Sequence, residues 1–429
     1  MHPLLRIPYA VAGATAQLAA ALAPRSSGKL GASLRARRGI RARYTDWGAA
    51  HRDPARPLLW VHAPSVGEGL QARPVIALLR ARHPQLQIAY TFFSPSAAPF
   101  AEGMGADFCD YLPFDTVGDS DAAVRALRPT TLVFSKLDVW PTLVERAVAH
   151  GVRVGLISAT LAEESGRTST FASWLLRDAY EALDAVGAID TRDATRLIQL
   201  GARADRVHVT GDTRCDQVRE RATAADRSGS LLAPLAGTRP TLVAGSTWPS
   251  DEAPLLEAWR DVRGRLPQAR MIIAPHEPTD AKLASIERWA KQSQLQLARI
   301  GSASQAMADV VLVDRVGVLG DLYALADVAF VGGGFHRAGL HSVLEPAAFG
   351  VPVLFGPQYR ASRDATRLLA DGGGFCVASA QELTTRMLSL FTETETRATA
   401  GGRARALVES GLGAALKSAA LVEQLLAIS

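Results

Sequence analysis

From residue 58 onward the chain alternates short apolar runs with longer amphipathic stretches. The runs at 58–63, 87–93, 130–135, 152–158, 186–189 and 207–210 read as strands. Residues 142–150 and 193–200 show helical spacing between them. The strands are apolar along their whole length rather than at every second position, so both faces are covered; this predicts a parallel sheet between helices. The pattern pauses at 216–240, which is polar and punctuated by Gly and Pro. It then restarts with runs at 241–246, 270–276, 310–315, 328–334, 351–356 and 374–379. A chain of 429 residues exceeds one typical core. The expectation is therefore an α/β protein of two doubly wound domains, 45–215 and 241–429, joined by the linker 216–240 and facing a cleft. The last helix is a candidate to cross back. In such sheets ligands sit beyond the carboxyl ends of the strands.

Residues 1–44 have another character. The stretch 7–24 is apolar and alanine-rich, and Arg25, Lys29, Arg35, Arg37, Arg38, Arg41 and Arg43 crowd the segment after it. The apolar part is short and weakly hydrophobic for a spanning helix, which needs about 20 residues. A signal peptide shares the outline, but positive charge directly after the apolar run opposes export. The segment reads as a membrane-associating helix on the cytoplasmic side. The competing reading is a packed N-terminal helix with a solvated basic face. A net charge of +5 fits an anionic partner. No aromatics suited to base stacking interleave the basic residues, so nucleic acid is not expected. Cys109, Cys215 and Cys376 are far apart, which argues against a disulfide framework or a zinc site.

Three strand ends in the first half carry chemistry. Ser65-Val66-Gly67-Glu68-Gly69 places Glu68 at a helix start, either as an ordinary helix-start residue or as an ionised, poorly shielded base for a hydroxyl nucleophile. Its glycines permit a tight turn and a close ligand approach. Ser135-Lys136-Leu137-Asp138-Val139-Trp140-Pro141 brings a cation and a carboxylate together. Lys136 is a candidate phosphate ligand, and Asp138 a candidate to position a hydroxyl or Lys136 itself; an ion pair with a helix cap is the structural alternative. Ser158-Ala159-Thr160 leads into a polar loop with Glu163, Glu164 and Arg167.

The second half looks like a nucleotide site. Gly245-Ser246-Thr247 lies between a strand and a helix, where backbone N–H groups can meet phosphate. His276 follows the next strand, as a phosphate donor or a structural histidine. Gly332-Gly333-Gly334 ends another, and Glu345 is placed to accept the hydroxyls of a ribose. There is no G-x-x-x-x-G-K-[ST], G-x-S-x-G or H-E-x-x-H motif. Asp119-Ser120-Asp121 reads as a helix cap rather than a metal site.

Taken together, "VHAPSVGEG", "KLDVWPTL", "GDTRCDQV", "AGSTW", "IIAPHEP", "VAFVGGGF" and "GLHSVLEPAAFGVPVLFGP" resemble the 3-deoxy-D-manno-octulosonic acid (Kdo) transferases of lipopolysaccharide synthesis over about residues 1–425. The resemblance implies a GT-B fold, two Rossmann-like domains with the active site in the cleft. It implies transfer of Kdo from CMP-Kdo to the lipid A precursor (lipid IVA), with inversion and with neither metal nor cofactor beyond the donor. Glu68 matches the general base, and Asp138 the assisting carboxylate beside Lys136. Gly245, Ser246, His276, Gly334 and Glu345 match the CMP contacts. Four positions depart from the commoner pattern. Lys136 stands for a Glu, Asp138 is one methylene shorter than Glu, Thr160 replaces an Arg, and Ser342 replaces an Asn. The competing readings are another GT-B transferase or an epimerase using a UDP-sugar, and a homologue that binds nucleotide without catalysis.

Overall fold

The computed structural model describes residues 3–22, 28–161, 167, 170–337 and 339–428. Arg25, Glu163 and Glu164 lie outside them. The chain divides into two compact α/β units, one of Met1–Gln217 with Leu412–Ser429 and the other Val218–Gly411.

The first unit holds β1 (Leu58–His62), β2 (Gln87–Phe92), β3 (Phe108–Tyr111), β4 (Thr131–Ser135), β5 (Arg153–Ala159), β6 (Ala185–Ala188) and β7 (Val207–Val209). All are parallel, in the order β3-β2-β1-β4-β5-β6-β7. Every residue of β1, β2 and β4 is buried, as strands covered on both faces require. The second unit holds β8 (Thr241–Thr247), β9 (Arg270–Pro275), β10 (Leu297–Arg299), β11 (Val310–Leu312), β12 (Val328–Val331), β13 (Val353–Phe355) and β14 (Gly374–Cys376). Their order is β10-β11-β9-β8-β12-β13-β14. In both sheets the order reverses beside the first strand of the unit, which is where doubly wound sheets place ligands.

Two strands, β3 and β10, did not stand out in the hydrophobic pattern. Both are sheet edges, and their sequences, FCDY and LAR, mix buried and exposed positions. The stretch 216–240 contains the end of the helix Thr213–Ala224 and a short turn at Ala233–Leu235, with Leu232 and Leu235 buried in the second unit's core. The last helix, Ala414–Leu426, belongs to the first unit. Asp216 accepts from the N–H groups of Gly413 (2.8 Å) and Ala415 (2.9 Å) at its start. Leu425 packs where a side chain on Gly155 of β5 would otherwise stand.

The N-terminal helix spans Pro3–Leu22. No helix among the described residues is long and apolar enough to cross a membrane. Tyr9 donates to Asp115 (2.7 Å), and Gln17 to Thr116 (3.0 Å) and Asp119 (2.6 Å), so one side of this helix is tied to the first unit by polar contacts. Leu4, Ile7, Val11, Leu18 and Leu22 stand exposed at helical spacing.

Candidate functional site

Helix Val66–Arg82 begins one turn after β1, and Glu68 lies in its first turn. Gly69 is required by packing: a Cβ there would meet Phe100 at 2.5 Å and Tyr90 at 2.6 Å. At Gly67 packing makes no such demand: a Cβ there would have the Ser65 hydroxyl as its nearest neighbour, at 3.7 Å. Glu68 is not poorly shielded, as the sequence suggested. The Ser65 hydroxyl donates to its Oε2, and the Lys136 ammonium lies 3.0 Å from Oε1. Burial pushes the Glu68 carboxyl up, but Ser65 and Lys136 together outweigh it, and its pKa falls below the ordinary value.

Lys136 reaches Glu68 because it follows β4 in a left-handed conformation (φ 68°), with its N–H on the Ile157 carbonyl of β5 at 2.8 Å. Ser158 (φ 51°) and Ser246 (φ 55°) adopt the same region near the ends of β5 and β8. Strained non-glycine backbone of this kind concentrates at working sites. Ser158 is buried and shares a hydrogen bond with Thr213 (2.8 Å), which donates to the Gln71 carbonyl (2.8 Å). Thr160 lies beside Asp193, at 3.4 Å.

Asp138 does not position Lys136. Its Oδ2 meets His62 Nε2 at 3.0 Å and accepts from Trp140 Nε1 at 2.9 Å; Arg167 lies 3.6 Å from Oδ1. Burial pushes Asp138 up; the hydrogen bonds to His62 and Trp140 and the charge of Arg167 bring its pKa below the ordinary value. His62 is fully buried, its Nδ1 held against Thr91 of β2 at 3.1 Å. Two carboxylates held ionised at neutral pH therefore stand at neighbouring strand ends, one on an ammonium and one on an imidazole.

The second unit collects its groups from separate loops. Trp248 caps helix Pro249–Arg265, and buried Asp251 accepts from the N–H groups of Trp248 (2.9 Å), Gly333 (2.7 Å) and Phe335 (2.9 Å). One carboxylate thus joins the ends of β8 and β12. The glycine run lets the two ends touch: a Cβ on Gly332 would lie 2.3 Å from the Ser246 carbonyl, and one on Gly334 would lie 2.4 Å from the Gly356 nitrogen. The Gly245 carbonyl accepts from Gly332 (2.9 Å). The Trp248 indole is stacked by His276 (4.7 Å between centroids) and His336 (4.2 Å), with Lys282 at 5.3 Å from its ring. Its N–H donates to His341 Nε2 at 3.1 Å, which makes that nitrogen an acceptor. Burial and the neighbouring His276 lower the His341 pKa, in accord with a neutral ring. Ser342 is exposed. Glu345 lies in helix Leu344–Ala348, and among the described residues no donor reaches its carboxylate. Burial raises its pKa, with Arg221 opposing and Asp321 adding to the rise.

His62, Trp248, His336 and His341 lie in or beside the motifs singled out in the sequence, but none was given a role there. Trp248 directly follows the Gly245-Ser246-Thr247 turn, and a ring at that place was the available signal. Asp119 pairs with Arg41 and Asp121 with Arg125, and Thr116 caps their helix. Among the described residues no group of three His, Cys, Asp or Glu could hold a metal ion.

Residues 33–217 match the family described as 3-Deoxy-D-manno-octulosonic-acid transferase (kdotransferase). A 3-deoxy-D-manno-octulosonic acid transferase of Bordetella pertussis is 30% identical over 390 residues, covering 87% of this chain and 88% of the relative. The chain belongs to the Kdo transferase family. An Aquifex aeolicus member is 25% identical over 338 residues, with 78% and 86% covered. Membership makes the protein a glycosyltransferase that transfers Kdo. A UDP-GlcNAc 2-epimerase of Neisseria meningitidis, solved with UDP-GlcNAc, has a TM-score of 0.63 at 14% identity, covering 86% of this chain and 99% of that one. This likeness concerns the fold alone, a pair of parallel-sheet α/β units of GT-B type.

Proposed function

We propose that the protein transfers Kdo from CMP-Kdo to a phosphorylated lipid A precursor in lipopolysaccharide synthesis, with inversion, without a metal, at the cytoplasmic surface of the inner membrane. The observation that carries the reading is Glu68, ionised at a strand end between Ser65 and Lys136. An acceptor hydroxyl takes the place of Ser65 at Oε2. As its oxygen bonds to the anomeric carbon of Kdo, its proton passes to Glu68. The bond from that carbon to the CMP phosphate breaks, and its electron pair leaves with CMP. Lys136 keeps the base ionised, and Asp138 assists. The Trp248–His276–His341 cluster and the N–H groups around Ser246 and Gly334 take the CMP phosphate and offset the charge developing on it. Glu345 accepts the ribose hydroxyls; Gly245 and Ser342 line the same site. NMR of donor and product tests the reaction course. The reading requires one CMP released per Kdo transferred and opposite anomeric configurations; retained configuration contradicts it.

A depressed carboxyl pKa makes a base that is ionised but weak. Lys136→Met removes the opposing charge and leaves burial in force, so the Glu68 pKa rises. The acid limb of kcat/KM then moves to higher pH, which a pH–rate profile measures. An unmoved limb removes Lys136 from this role.

The exposed stripe of the N-terminal helix supports the membrane reading. Ile7→Asp with Val11→Asp should abolish sedimentation with anionic vesicles while leaving Tm within a few degrees. Persistent binding by the folded variant would place the membrane contact elsewhere.

A further inference from the structure

The N-terminal segment is tied to the first unit's strand ends by a run of stacked groups. Arg37 follows helix Lys29–Ala36 and is 3% exposed. Its guanidinium lies 4.2 Å from the centroid of Phe93, with Tyr111 at 5.2 Å and Phe114 at 5.7 Å. It donates to the carbonyls of Leu112 (2.8 Å), Ser33 (2.8 Å) and Phe93 (3.3 Å). Among the described residues no carboxylate forms an ion pair with it, and burial lowers its pKa to about 10. An apolar side chain would fill this place without that desolvation cost. What the arginine adds is a fixed plane against an aromatic ring and three anchored carbonyls.

Phe93 also touches the site. Its ring stacks on Trp140 at 5.8 Å with 15° between planes, and Trp140 holds Asp138. The Phe93 N–H donates to the Pro64 carbonyl (3.0 Å), immediately before the turn that carries Glu68. A parallel tie runs from Tyr9 to Asp115, which accepts from the N–H groups of Thr142 (2.9 Å) and Leu143 (2.7 Å) in the helix after Trp140.

We propose that Phe93 is a positioning residue for Kdo transfer. Clamped from the N-terminal segment by Arg37, it fixes the Trp140 indole so that its N–H stays on Asp138. The inference rests on the assisting role given to Asp138 above. The N-terminal segment is then part of the catalytic apparatus as well as a membrane contact.

The test uses the full chain in lipid vesicles. Phe93→Leu should lower kcat about 10- to 100-fold, the scale of a misplaced catalytic group. Donor KM should stay unchanged, because the donor groups belong to the other unit. Phe93→Tyr, which keeps a flat ring, should restore the rate. The acid limb of kcat should move to higher pH in Phe93→Leu, since Asp138 loses a donor. The other groups facing Asp138, namely His62, Arg167 and the phenols of Tyr9 and Tyr180, are untouched by the change. Phe93→Leu added to Trp140→Phe should cost nothing further. Phe93 is 37% exposed, so the fold should survive; if Tm falls, Phe93→Met is measured in its place. Wild-type kcat and pH profile in the Leu variant, or an additive loss in the double variant, overturns the proposal. Asp138→Asn separates the two levels. Full activity there removes the role of Asp138 and this inference with it. An impaired Asp138→Asn beside a silent Phe93→Leu overturns the positioning role alone.

Discussion

Glu68→Gln is expected to lower kcat for Kdo transfer by about 10²- to 10⁴-fold, the usual worth of a positioned general base. The amide keeps the size of the side chain and can still meet Ser65, so the helix start should hold. It cannot take a proton from the acceptor hydroxyl. It also leaves Lys136 without its anionic partner, but that ammonium is 40% exposed and is readily solvated. Donor binding should be unaffected, because the nucleotide groups belong to the second unit. Paired measurements of kcat and of CMP affinity check this. A variant with normal turnover removes Glu68 as base; one with lost CMP affinity assigns it to the donor.

The complementary loss lies in the second unit. Glu345→Ala should raise donor KM about 10- to 100-fold, since a hydrogen bond to a charged group is worth roughly 1.5–3 kcal/mol. No donor among the described residues satisfies this carboxylate, and burial raises its pKa. Both features fit a group whose partner arrives with the ligand. Buried Tyr323, whose own pKa Glu345 helps to raise, stays in place beneath Gly245. Protonating Glu345 removes its charge, so donor affinity should weaken as pH falls through its raised pKa and be regained above it. Isothermal titration of CMP against pH reads this, and a flat dependence in the wild type would remove Glu345 as the ribose acceptor.

Much of this protein is legible in its sequence, for a physical reason. Strands buried on both faces are mostly apolar along their length, so β1, β2, β4, β8 and β12 stand out. Two of the four edge strands, β3 (FCDY) and β10 (LAR), mix buried with exposed positions in short polar-containing sequences and carry no such signature. The candidate site residues were visible because doubly wound sheets place chemistry at strand ends. Their pairing was not. The neighbouring Lys136 and Asp138 read as partners, but the left-handed turn at Lys136 sends its ammonium to Glu68, while Asp138 faces His62 from another strand. The stack of Trp248, His276, His336 and His341 is assembled from three loops of the second unit. Only the folded sheet brings them together, with Asp251 as the joint. The N-terminal segment showed its charge and its apolar run, but not that Arg37 turns inward onto three aromatic rings.

Kdo transfer from CMP-Kdo to a lipid A precursor, with Glu68 as base, is open to a single experiment. The most direct test is mass spectrometry of lipid IVA after incubation with CMP-Kdo, EDTA and either wild-type protein or Glu68→Gln. A gain of one or more Kdo masses is expected with wild type and none above background with the variant. No gain with wild type while CMP still binds, or equal gain with both proteins, would contradict it.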